Sequence, residues 1–195
     1  IQRELGERAG TLTLTDLVRI RNKVAHNMPQ ATHEVIRHRA FATTLEYLGA
    51  PDECLAAALC AAYLQDRFRL CRPYDDVIPC LAALRGRYGL GIISNGNSYP
   101  ERCGLPGMFD WFVLAQDVGV KKPEARIFAT AVQYAGCRPE MLLHIGDDLI
   151  EDVAGAQQAG LQAAWLNRTH AVRPSTLPLE AELASLAELS VLLGK

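Results

Sequence analysis

The sequence predicts an α/β protein: a three-layer, Rossmann-like parallel-sheet core with a helical-bundle domain ahead of it. Three observations carry that expectation. From about residue 73 onward, short apolar runs alternate with amphipathic helical stretches, the pattern of parallel strands covered on both faces. Before that point, long helical stretches follow one another with no strand between them, as in a small helix bundle. Three of the expected strands are also followed by polar, charged or glycine residues, and open α/β sheets collect their chemistry at the carboxyl ends of strands. The expected domains are 1–72 and 73–195.

Each element has a local reason. Leu17, Ile20 and Val24 share one helical face after Thr15, read as an N-cap. A second helix is expected over 32–48, stopped by Gly49. A third follows Asp52 as its cap. "LGIIS" (90–94), "WFVLA" (111–115), "MLLHI" (141–145) and "LQAAWL" (161–166) read as buried strands. Helices are expected near 79–88, 123–135 and 150–159, the middle one starting at Pro123, a favoured first helical position. One more surface helix is expected after Pro178.

The bulk composition excludes several classes. A chain of 195 residues, 49% hydrophobic, can bury a sizeable core. A net charge of −2 and a pI near 6.2 call for neither nucleic acid nor an anionic membrane. No apolar run has the length of a membrane span and no signal peptide is visible. The six cysteines are scattered without a C-x-x-C pair, which reads as reduced core thiols in a cytoplasmic protein. A monomer or homodimer is expected.

Three strand ends carry candidate chemistry. At 94–97, "SNGN" offers the Ser94 hydroxyl and the backbone amides of Asn95 and Gly96 to an oxyanion or phosphate; alone, it also suits an ordinary turn. Lys122 is one of only four lysines and precedes Pro123, which favours an extended Lys122 just ahead of a helix N-terminus; alone, it also suits a solvated lysine. Asp147, Asp148, Glu151 and Asp152 crowd into six residues after "LLHI". Asp147, first after the strand, is placed to give an oxygen ligand to Mg²⁺. Asp152 lies in the first turns of the next helix, where it could bind a metal-bound water or orient a ligand. Asp148, the lesser metal candidate, and Glu151 suit a helix start. His144, inside the apolar strand, reads as a satisfied core histidine.

The three motifs, in this order and spacing, resemble the haloacid dehalogenase superfamily. "IISNGN", "GVKKPEARIF" and "HIGDDLIEDVAGAQQAG" are similar to its second, third and fourth motifs, and the match covers roughly residues 75–167. The helical first third resembles the family's C1-type cap. The resemblance implies that Ser94, with the Asn95–Gly96 backbone, binds the transferring phosphoryl group. It implies that Lys122 stabilises charge on an aspartyl nucleophile and the phosphate, that Asp147 ligates Mg²⁺ and that Asp152 supports the metal. The implied reaction is attack of an aspartate on phosphorus, then hydrolysis of the aspartyl-phosphate, on a small phosphorylated metabolite.

One part of the pattern is absent. The first motif, DxDxT on a strand in the middle of the sheet, should precede the cap, and this chain opens at Ile1 in cap-like sequence. Asp16 has Val18 where the second aspartate belongs. The expectation is a truncated chain, inactive alone, with unpaired strand edges where the first strand belongs. The alternatives are a 2-haloacid dehalogenase-like hydrolase, against which the acidic "GDD" argues, and an inactive binding protein. Arg19, Arg21, His26, Arg37 and Arg39 are possible substrate contacts.

Overall fold

The computed structural model describes residues 12–96, 98–173, 179 and 181–194. The chain divides into two compact units, Ile1–Cys71 and Arg72–Lys195.

In the first unit, helix α1 (Leu14–Asn27) starts at Thr13 rather than Thr15. Thr13 and Asp16 form a capping box, which satisfies two otherwise unpaired donors and outcompetes Thr15. Helix α2 (His33–Tyr47) is capped by Thr32 and helix α3 (Glu53–Leu70) by Asp52, which accepts from the Leu55 amide at 2.9 Å. Val24, Ile36 and Ala40 join α1 to α2. Phe41, Leu45, Ala56 and Leu59 join α2 to α3, with Leu45 and Ala56 fully buried. Three of the basic candidates engage close neighbours: Arg19 pairs with Asp16, Arg39 with Glu46, and the Arg37 guanidinium lies 4.2 Å over the Tyr63 ring.

The second unit is an α/β layer structure. After α4 (Val77–Leu84) come β1 (Gly91–Ser94), β2 (Trp111–Leu114), the short α5 (Ala115–Val118) and α6 (Ala125–Ala135). Then follow β3 (Leu143–Gly146), a π-helical turn at Leu149–Ala154 running into α7 (Gly155–Gln158), β4 (Gln162–Leu166), β5 (Ala181–Leu183) and α8 (Leu189–Leu192). Helix α6 begins at Ala125, not at Pro123: Glu124 flanks it and donates its amide to the Lys121 carbonyl, so Pro123 lies in the preceding turn. The expected tail helix is instead β5, a 3₁₀ turn at Leu186–Glu188 and α8, because strand pairing with β4 captures Ala181–Leu183. Pro178, where that helix was to begin, lies outside the described residues. Of the cysteines, Cys60 and Cys103 are buried, but Cys54 and Cys137 are exposed and do not belong to a core.

Among the described residues all strand pairings are parallel, and the strands form two sheets, β1–β2 and β3–β4–β5. Both lie in one layer. On one face, Ile127, Phe128 and Ala131 of α6 pack with Val153 and Ala156 against Val113 and Trp165, with Ile93 alongside. On the other, Leu84 and Leu189 pack on Ala164 and Leu183, with Leu90, Leu143 and Ile145 around them. Between β1 and β3, which do not pair, runs a cavity of about 460 Å³ lined by residues including Ile92, Ile93, Leu143, Ile145, Leu84 and Leu189. Gly91 is required at the start of β1: a Cβ there would stand 2.2 Å from the Trp111 ring. A polar node at Asp76 ties the unit together. Asp76 accepts both Arg168 guanidinium nitrogens at 2.9 Å, the Ser185 hydroxyl at 2.7 Å and the Leu186 amide at 2.8 Å.

Candidate active site

The carboxyl ends of β1 and β3 and the turn before α6 meet at one rim of the second unit. Two side-chain bridges join them. In the first, Asn95, directly after β1, accepts from the Lys122 backbone N–H at 2.6 Å and donates to the Lys122 carbonyl at 3.1 Å. Its amide thus meets the Lys122 backbone much as a neighbouring strand would. The same Nδ2 donates to Glu151 Oε2 at 2.8 Å. In the second bridge, Lys122 Nζ donates to the Ile93 carbonyl at 3.1 Å and pairs with Asp152.

Lys122 is therefore not a solvated surface lysine. It is 8% exposed and Asp152 only 3%. Burying two charges is costly unless they pair and their remaining valences are filled, and here they are. Asp152 Oδ1 lies on Lys122 Nζ and 3.0 Å from His144 Nε2, and Oδ2 accepts the Asp148 amide at 3.0 Å. Burial pushes the Asp152 carboxyl up. The hydrogen bond from His144, the Lys122 charge and hydrogen bond and the Asp148 amide together outweigh it and hold the group far below the usual carboxylate range. Gly146 makes room for this carboxylate, since a Cβ there would stand 2.1 Å from Asp152 Cγ. With both oxygens taken by protein donors, Asp152 is a buried holder of Lys122, not an open metal ligand.

The other expected residues take different stations. The Asp147 side chain is exposed, while its carbonyl accepts from Trp165 Nε1 at 3.0 Å, which pins the backbone beneath it. Asp148 caps the π-helical turn, its Oδ1 accepting the amides of Ile150 at 2.8 Å and Glu151 at 2.7 Å. Ser94 is half-buried, and its Oγ accepts the Gly96 amide at 3.0 Å. The Gly96 N–H is thus already engaged and is not a free phosphate donor in this conformation, whereas the Ser94 hydroxyl keeps its proton to donate. Asn97 lies outside the described residues. Among the described residues no cluster of three or more His, Cys, Asp or Glu could hold a metal.

Two participants escape a reading of sequence alone. Glu151 bridges to Asn95 rather than merely serving a helix start. His144 bonds Asp152 instead of being a passive core residue. A signal for it existed: His144 stands two residues before Gly146, hence on the same strand face, and that glycine faces Asp152.

The arrangement offers a fixed ammonium, a hydroxyl and an exposed carboxylate at one strand-end rim, groups suited to an anionic substrate. Comparison with known proteins agrees with the fold. Residues 9–160 match the family model described as haloacid dehalogenase-like hydrolase. The chain is 36% identical over 141 residues to pyrimidine 5'-nucleotidase YjjG of Escherichia coli K12, covering 69% of this chain and 62% of that protein. It is 34% identical over 137 residues to glyceraldehyde 3-phosphate phosphatase of Methanopyrus kandleri, covering 67% and 59%. The chain thus spans about three fifths of the length of those relatives. The crystal structure of 2-haloacid dehalogenase from Pseudomonas syringae pv. Tomato DC3000 superposes with a TM-score of 0.84 at 28% identity, covering 98% of this chain and 85% of that one. In the described residues no helix is long and apolar enough to cross a membrane. From its three rim motifs, its layer order and its match over 9–160, the chain belongs to the haloacid dehalogenase-like hydrolase family.

Proposed function

We propose that this chain is the larger part of a phosphate monoester hydrolase acting on a small phosphorylated metabolite. The observation that carries the reading is the buried Lys122, held at the rim by Asn95, Ile93 and Asp152, which sets a fixed positive charge where a phosphoryl group would sit. Ser94 donates to the same group. The exposed Asp147 suits Mg²⁺, which takes one or two carboxylates and completes its shell with water and phosphate oxygens; when bound, the ion would neutralise charge on the phosphate. Among the described residues β1 and β3 do not pair with each other, which supports placing between them the first strand that the resemblance implies, bearing the nucleophilic aspartate. In the implied chemistry a carboxylate oxygen of that aspartate bonds phosphorus and the ester P–O bond breaks. The leaving alkoxide oxygen takes a proton from the general acid that the resemblance places on the same first motif, and water then splits the acyl phosphate to release orthophosphate. The relatives named for a nucleotidase and a phosphatase support this reading. The first unit, Ile1–Cys71, would be the cap.

The likeness to a 2-haloacid dehalogenase favours a second reading, halide displacement by the same aspartate. Asp147 supports the first reading, since an exposed carboxylate at the rim suits a metal–phosphate substrate and repels an ionised haloacid. The test is hydrolysis of p-nitrophenyl phosphate by a protein that includes the strand filling the β1–β3 cavity. Turnover is expected to need Mg²⁺. Lys122→Ala and Asp147→Asn are each expected to lower kcat/KM by at least about 10²-fold. Full turnover in a chelator, or preference for 2-chloropropionate, would overturn the proposal.

A further inference from the structure

We infer that His144 is a positioning residue that acts through Asp152 to fix the Lys122 ammonium at the rim. The inference rests on the reading of Lys122 as the phosphate-facing charge. His144 is nearly buried, with 10% of its side chain exposed, and stands edge-on to Phe128 with ring centroids 5.5 Å apart at 84°. Its Nε2 is 3.0 Å from Asp152 Oδ1, the same oxygen that takes Lys122.

The hydrogen-bond inventory sets the direction of this contact. An ionised carboxylate only accepts, so Nε2 carries the proton and donates. Oδ1 then has two donors, His144 and Lys122, while Oδ2 has one, the Asp148 amide. Without His144 the Oδ1 side of the carboxylate keeps only the flexible Lys122 chain. The group can then turn about its last torsion, which is broad for an aspartate, and a buried acceptor loses a partner, weakening the ion pair. Lys122 is left with the Ile93 carbonyl and a looser counter-charge. Packing against Phe128 alone needs no donor at this position, and an aromatic or aliphatic side chain would serve.

Amine acylation of the folded 195-residue chain, read by peptide mass spectrometry, separates the two roles. The Lys122 rate is compared with exposed Lys23, and alkylation of buried Cys103 in the same sample reports general loosening of the unit. His144→Phe and His144→Leu keep an apolar filling without a donor, whereas His144→Gln restores an N–H at comparable reach. Both donor-free variants are expected to speed Lys122 acylation about tenfold with the Cys103 rate unchanged, and His144→Gln to return it to within about twofold of wild type. Equal Lys122 rates in all variants overturn the inference. So does a Gln variant as fast as the donor-free pair, or a parallel rise at Cys103. Inorganic phosphate is expected to slow acylation of wild-type Lys122. If it fails to, the phosphate reading of the rim is what falls, and the comparison among His144 variants still stands.

Discussion

Asp152 illustrates how a residue's environment redirects its chemistry. By position it belongs to a run of four crowded carboxylates, yet the fold separates them. Asp147 is exposed, Asp148 caps a turn, Glu151 binds Asn95, and Asp152 is buried against a lysine and a histidine. The pH consequence runs through the depressed carboxyls. A group whose folded-state pKa lies below its unfolded value contributes stability above the unfolded value and loses it as pH falls through the folded one. Asp76 is held at about 2 against an ordinary 3.8, chiefly by hydrogen bonds from Arg168, with Ser185 and the Leu186 amide adding and burial opposing. The urea midpoint of unfolding is therefore expected to fall as pH drops from about 4 to about 2, with Asp152 extending the loss further down. Asp76→Asn is expected to flatten the upper part of that slope; an unchanged slope would refute the role of Asp76.

The decisive element is β3 with the turn after it. Leu143 and Ile145 join the face packed on α4 and α8, and His144 and Gly146 occupy the other, as period-two alternation requires. Gly146 is small because the Asp152 side chain fills the space a Cβ would take. The next helical residues form a π-helical turn instead of the α-helix that the pattern suggests, and π turns often occur at functional sites. Gly146→Ala is expected to cost about 1–3 kcal/mol in urea unfolding, the range for overpacked positions, because either Asp152 or the strand must shift. It is also expected to displace the Asp152–Lys122 pair, visible as a change in the NMR signal of the Lys122 ammonium. An unaltered signal with full stability would contradict the packing described.

For the molecule as a whole, the open feature is the cavity between β1 and β3. Both faces of the layer are covered, by α4 and α8 on one side and α6 and α7 on the other, yet among the described residues the two sheets do not join. Strand edges bordering an apolar slot invite a further strand. The 195-residue chain is expected to bind an apolar fluorescent dye at this slot. A protein carrying the first strand implied by the family resemblance is expected to bind much less; equal dye enhancement by both would show that the slot is not where that strand goes.

Much of this architecture was legible in the sequence because the interactions that encode it are local or periodic. The four expected strands appear within a few residues of their expected bounds, but only β2 and β4 contain buried residues; β1 and β3, which face the cavity, are half-buried throughout. Asp52 caps its helix as its residue type requires, and the helix expected over 32–48 runs from His33 to Tyr47 with Thr32 as its cap. Misplaced starts, at Thr15 and Pro123, lost to hydrogen bonds one or two residues away. The tail after Pro178 carried a helical pattern, yet pairing with β4, distant in sequence, made part of it a strand. By itself the sequence determined the fold class, the three motifs and their convergence on one rim, because strand–helix periodicity puts successive strand ends on the same edge. Only the tertiary structure decided that Lys122 is buried, that the Gly96 amide is engaged, and that His144 and Glu151 belong to the site. The Lys122 and Glu151 outcomes depend on side chains about 30 to 60 positions apart coming within hydrogen-bonding reach; the Ser94–Gly96 and His144–Asp152 contacts span only two and eight positions, and there the packed site selects the side-chain direction.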